Sequence, residues 1–195
     1  MTIFYRLGTG LYINITNACP CACVFCIRNS THTVGDAPSL WLDHEPTLAE
    51  ITQAFDARRD LHEVTEVVFC GYGEPMMRPD IVLAVAEHIK SRGDYSIRLN
   101  TNGLVLLISP GFNMEGLEVL DCVSISLNAH SPEDYLAVAR PQFGIDSFNA
   151  LVSFAREAKK YTQVALTVME DYKDIDACRQ IANDLGVPLR VREYM

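Results

Sequence analysis

Four cysteines crowd into Cys19-Pro20-Cys21-Ala22-Cys23-Val24-Phe25-Cys26, and three of them, Cys19, Cys23 and Cys26, stand in C-x3-C-x2-C spacing. Thiolates this close on one loop can close around a single cluster. Iron–sulfur clusters are ordinarily held by four Cys thiolates, so a cubane held by three leaves one iron without a protein ligand and open to chemistry. The same distinction separates catalytic zinc sites, which keep an unfilled position, from closed structural ones. A structural zinc knuckle is the competing reading, because Cys21 supplies a fourth sulfur. Zinc sites usually pair one C-x2-4-C with a second, distant pair of Cys or His, and no such pair follows here. Cys21 also stands two residues from both Cys19 and Cys23, a crowded geometry for one tetrahedron.

The elements around this loop follow from the hydrophobic pattern. Residues 3–7 and 11–16 are β-branched and aromatic runs separated by Gly8-Thr9-Gly10, which predicts a hairpin leading into the first core strand. Residues 27–45 show no sustained periodicity and read as an excursion in which Leu40-Trp41-Leu42 folds back onto the core and which is long enough to act as a lid. Thr47 and Glu50 form a capping box ahead of Leu48, Ile51 and Phe55 at helical spacing. Apolar runs then recur at 64–70, 96–99, 123–127, 164–169 and 189–194. Helical segments fall between Pro79 and Gly93, near 132–138 and 146–160, and near 174–185 before Gly186. Six core strands alternating with helices predict an α/β fold of parallel βαβ units, either doubly wound or curved into a barrel. The polar residues collect where strands end, as Gly71-Tyr72-Gly73-Glu74-Pro75, Asn100-Thr101-Asn102-Gly103 and Ser126-Leu127-Asn128. In parallel α/β barrels that face carries the active site.

Composition narrows the classes further. At 195 residues and 49% hydrophobic, the chain is expected to form one domain over residues 1–195. A formal net charge of −9 argues against extended nucleic-acid binding, while leaving room for a local basic pocket. The N-terminus lacks a signal-peptide pattern and no apolar stretch approaches the roughly 20 residues of a membrane span, so a cytoplasmic protein without membrane contact is expected. Seven Cys, four of them in one loop, fit a reducing compartment. Cys70, Cys122 and Cys178 are isolated and read as small buried hydrophobes. Of the five His, at 32, 44, 62, 88 and 130, only His130 lies beside the expected site.

The Cys triad, with aromatic Phe25 just before its last member, resembles the radical S-adenosylmethionine (SAM) superfamily. The resemblance implies a partial (β/α)6 barrel, here with an N-terminal β-hairpin extension. It implies a [4Fe-4S] cluster on Cys19, Cys23 and Cys26 whose free iron chelates SAM through its amino and carboxylate groups. One-electron reduction, from a donor such as flavodoxin or ferredoxin, would then split SAM into methionine and a 5′-deoxyadenosyl radical that takes hydrogen from the substrate. Gly71-Tyr72-Gly73-Glu74 is similar to the Gly-Gly-Glu motif that receives the SAM amino group, with Tyr72 in place of the second Gly. The physical need is a turn poor in side chains that lets backbone carbonyls approach an ammonium, with Glu74 as a charged anchor. By the same resemblance Asn100, Thr101, Ser126 and Asn128 are expected to meet the SAM ribose and carboxylate, Val168 and Met169 the adenine, and Arg192 and Tyr194 adenine or substrate.

Further stretches, among them Asn14-Ile15-Thr16-Asn17, Phe69-Cys70-Gly71-Tyr72-Gly73-Glu74-Pro75 and Val187-Pro188-Leu189-Arg190-Val191-Arg192, resemble the small radical SAM proteins associated with TatD-family nucleases. That likeness implies a functional link to such a nuclease and supplies no substrate. The expected substrate is a small molecule, nucleotide-derived in the preferred form. The alternatives are an activating enzyme acting on a partner protein and a non-enzymatic zinc-binding adaptor.

Overall fold

The alternating runs build one seven-stranded sheet in which the strands stand in chain order. The computed structural model describes residues 1–29 and 34–193. Strands β1 (Phe4–Leu7) and β2 (Gly10–Ile13) form the antiparallel hairpin, with Gly8 in the left-handed region at φ 59°. β3 (Glu66–Phe69), β4 (Ser96–Thr101), β5 (Cys122–Ser126), β6 (Gln163–Met169) and β7 (Leu189–Arg192) then add one after another, each parallel to the last. β1 and β7 do not pair, so the sheet is the open, partial barrel with an N-terminal hairpin.

Six helices cover the outer face: α1 (Leu48–Asp56), α2 (Pro79–Arg92), α3 (Val105–Ile108), α4 (Pro132–Ala139), α5 (Ser147–Ala158) and α6 (Ile175–Leu185). The Thr47–Glu50 capping box opens α1 as expected, and Gly186, at φ 66°, closes α6 in the left-handed conformation that favours glycine. The short α3 and the 3-10 segment Met114–Val119 were not legible as elements, because four residues are too few to show a helical period. Among the described residues, no helix is long and apolar enough to cross a membrane.

The sheet has two unlike faces. Ile13, Phe69, Leu99, Ile125 and Val168 point outward under the helices and are fully buried, each worth roughly 1.5–3 kcal/mol of transfer free energy. The alternate positions, in register across the strands, put Arg98, Asn100, Cys122, Ser126, Thr167, Arg190 and Arg192 on the concave face. There Arg98 makes a two-pronged pair with Glu66, at 3.0 Å and 2.7 Å. Its remaining nitrogen donates to Asn100 Oδ1 at 2.7 Å.

The described part of the excursion folds back as expected. Leu40 and Leu42 are buried, and Val34, Ala37 and Leu40 pack with Tyr5 and Tyr72. Asn14 Nδ2 donates to the Leu40 carbonyl at 2.7 Å, and Asn17 both donates to and accepts from Leu42, at 2.8 Å and 3.0 Å. Trp41 is 44% exposed and meets Tyr72 edge-on, ring centroids 5.1 Å apart.

Candidate active site

The thiol loop starts where β2 stops and is latched from three sides. The Glu74 N–H donates to the Ala18 carbonyl at 2.9 Å. The N–H groups of Ala22 and Val24 donate to the carbonyls of Ala139 and Val138, at 3.1 Å and 2.9 Å, and the Gln142 N–H donates to Pro20. So held, all four loop thiols, Cys19, Cys21, Cys23 and Cys26, line one cavity together with Phe25. Cys21 turns inward and is buried; its Sγ accepts from Asn102 Nδ2 at 3.7 Å and meets the Tyr135 hydroxyl. Its thiol hydrogen-bonds to Cys19 and Cys23 and holds both below the usual thiol range, while its own pKa is raised by the same contacts. Arg28 lowers the first two further. Burial pushes Cys26 up. The loop therefore favours thiolate at Cys19 and Cys23 and a protonated neighbour at Cys21.

The turn after β3 forms the next wall. A Cβ at Gly71 would run into the Asn14 side chain, and one at Gly73 into the carbonyl oxygens of Thr16 and Ala18. Both positions need glycine because another segment's atoms already fill the space. Tyr72 is buried against the excursion and lines the cavity. Glu74 is 4% exposed, and its carboxylate accepts from the Met76 N–H at 3.0 Å, the Thr101 hydroxyl at 2.7 Å and the Asn102 N–H at 2.7 Å. Burial outweighs these bonds and raises its pKa to about 7.

The ends of β4 to β7 supply the remaining walls. Thr101 is buried beneath Glu74, whereas Asn100 has its oxygen held by Arg98, leaving its amide nitrogen free for the cavity. Ser126, Asn128, Met169 and Arg192 line the same space. Asn128 sits at φ 55°, uncommon for a residue with a side chain. Its buried Oδ1 has no hydrogen-bond partner among the described residues. Val168 is the expected residue that the structure does not bring to the cavity: alternation turns its side chain outward, into the helix-covered core. Tyr194 and His32 lie outside the described residues.

Sequence reasoning passed over several neighbours. Cys70, read as a buried hydrophobe, is half-buried and lines the cavity. Asn102, read as a turn residue, does brace the turn through Leu104 but also reaches Cys21 and Glu74. Tyr135 lies on α4, where its spacing marks it as core, and nothing local reveals that its hydroxyl meets Cys21. His130 is engaged by Tyr172 at 2.7 Å and Asp134 at 3.4 Å. A larger hollow of about 700 Å³, beside Met77, Arg78 and Phe112, carries no thiol. Chemistry rather than size therefore selects the site. The loop thiols on one wall, with Cys21 hydrogen-bonded to Cys19 and Cys23, a turn stripped of side chains and a buried acceptor unpaired among the described residues fit a cluster held by Cys19, Cys23 and Cys26 with a polar ligand beside it.

Comparison with known proteins agrees with this geometry. The model of the Radical SAM superfamily matches residues 13–178. A probable GTP 3′,8-cyclase of Methanocaldococcus jannaschii is 24% identical over 98% of this chain and 61% of its own length. A second probable GTP 3′,8-cyclase, from Thermococcus kodakarensis, is 30% identical over 88% of this chain and 51% of its own. The chain thus spans about half to three-fifths of these relatives. A structure of TYW1 with a lysine-pyruvate adduct bound superposes with a TM-score of 0.69 at 13% identity, over 98% of this chain and 66% of that one. Native anSMEcpe with bound AdoMet gives 0.64 at 15% identity, over 94% and 51%. These two likenesses are likenesses of fold.

Proposed function

The chain belongs to the Radical SAM superfamily, and on that premise we propose that Cys19, Cys23 and Cys26 hold a [4Fe-4S] cluster beside SAM and that the substrate is a small, nucleotide-derived molecule. When bound, that pair supplies the reductive cleavage of SAM to methionine and a 5′-deoxyadenosyl radical, with the electron coming from a flavodoxin or ferredoxin type of donor. The observation that carries the reading is the sharing of one cavity by the three thiols, the Gly71–Gly73 turn and the unpartnered Asn128 oxygen.

The chain's own residues divide the work. Cys19, Cys23 and Cys26 are the ligands, and Cys21 is a hydrogen-bonding neighbour of two of them. Gly71 and Gly73 keep the turn free of side chains where the SAM amino group is received. Glu74 fixes that turn to Thr101 and Asn102 through its carboxyl oxygens. Asn100, Ser126 and Asn128 offer hydrogen bonds to the ribose and carboxylate, and Met169 offers an apolar surface to adenine. Two GTP 3′,8-cyclases among the relatives support a nucleotide-derived substrate.

Anaerobic reconstitution with iron and sulfide, followed by reduction and addition of SAM, tests the reading. The expected outcome is a cluster, formation of 5′-deoxyadenosine, and transfer of deuterium into it from deuterated cell metabolites. Label arriving only from deuterated cell protein would shift the substrate to a partner protein. Tight zinc binding with no cluster would replace the enzyme by a zinc-binding adaptor.

A further inference from the structure

The concave face carries an imbalance of charge in a chain whose net charge is −9. Arg98 is neutralised by Glu66, through two bonds to the carboxylate. Arg192, on the same face at the free edge of the sheet, is treated differently. Its backbone carbonyl accepts from the Glu170 N–H at 2.9 Å, but its guanidinium meets no carboxylate among the described residues. The residue is exposed overall and lines the cavity together with Ser126, Asn128 and Met169, and desolvation lowers its pKa. The thiol groups of Cys70 and Cys23 line the same cavity. A guanidinium that lines a cavity and is paired with no carboxylate there is open to an incoming anion. Such a group is compensated when an anion arrives, and its planar fork of donors suits phosphate and carboxylate in particular.

The walls already described provide for SAM from the β3, β4 and β5 ends, through the glycine turn, Asn100 and Asn128. Arg192 stands on β7, beyond them in the order of the sheet. We propose that Arg192 is the anion seat of the substrate subsite, so that the substrate of this cavity carries a phosphate or a carboxylate that pairs with its guanidinium at the open edge of the barrel. The inference rests on the radical SAM reading and narrows its substrate to an oxyanion-bearing molecule.

The test uses reconstituted, SAM-loaded protein and calorimetric titration with guanosine, GTP and pyruvate, comparing wild type with Arg192→Gln and Arg192→Lys. Tighter binding of GTP than of guanosine marks a phosphate source, and binding of pyruvate marks a carboxylate source. Either preference should weaken roughly tenfold or more in Arg192→Gln, the scale of a lost charged hydrogen bond, and return in part in Arg192→Lys. Anion binding equally tight in Arg192→Gln overturns the proposal. So does a wild type that ignores both anions, or a loss of SAM affinity in Arg192→Gln as large as the loss of anion affinity, which would place the guanidinium on the SAM carboxylate. Cluster absorbance and 5′-deoxyadenosine formation are scored on the same preparations. Anion binding through Arg192 in a chain that cleaves no SAM would keep the seat and remove the reading beneath it.

Discussion

Glu74 makes folding stability depend on pH in a direction opposite to most carboxylates. Its folded pKa is raised from 4.5 to about 7, chiefly by burial and against three hydrogen bonds. The folded chain therefore binds a proton here that the unfolded chain has released. For a raised carboxyl pKa the contribution is fully present below pH 4.5 and is lost as pH climbs through 7. The whole shift corresponds to about 3 kcal/mol, and most of it falls between pH 5 and pH 8. Glu74→Gln removes the titration at almost constant size. It also turns an amide N–H2 towards the Asn102 N–H, a pH-independent loss of about 1–2 kcal/mol. Urea unfolding of the cluster-free chain under reducing conditions, at intervals from pH 5 to pH 8, gives the two stabilities. The advantage of wild type over Glu74→Gln should shrink by roughly 2–3 kcal/mol across that range. An advantage that stays constant, or grows with pH, would mean that the three donors hold the carboxylate ionised and that burial is not the dominant effect.

Two further outcomes follow from the loop itself. Replacing Cys19, Cys23 or Cys26 by Ala should abolish cluster assembly, measured as bound iron and sulfide, whereas Cys21→Ala should retain it, since Cys21 faces Asn102 and Tyr135; the reverse pattern would reassign the ligands. Gly73→Ala should cost roughly 1–3 kcal/mol in denaturant unfolding and lower cluster content, because the new methyl meets the carbonyls of Thr16 and Ala18. Gly111→Ala, where the added carbon meets nothing within 4 Å, is the control.

Features encoded by neighbours in the chain were legible before any coordinates. The triad lies within one loop, the α1 cap needs only Thr47 and Glu50, and each strand ends in its own polar turn. What stayed hidden depends on residues far apart. Glu74 is completed by Thr101 and Asn102, and Cys21 by Asn102 and Tyr135. The direction of Val168 was obscured because residues 164–169 are buried on both faces, so an unbroken apolar run carries no record of which side each residue takes. Asn128 reads as an ordinary polar turn residue, and only its backbone conformation and unpartnered oxygen set it apart.

The latching of the thiol loop also fixes an order of events during synthesis. A sheet whose strands stand in chain order can be assembled by addition, each new strand pairing with the one made just before it. The Cys loop breaks that rule, since beyond Glu74 its backbone partners are Val138, Ala139 and Gln142, more than a hundred residues downstream. All three thiols leave the ribosome long before the segment that secures them. Until that segment arrives they belong to a loop whose earlier latch is the Glu74 N–H on the Ala18 carbonyl, open to metal and to oxidant alike, and the closing of the site waits for α4.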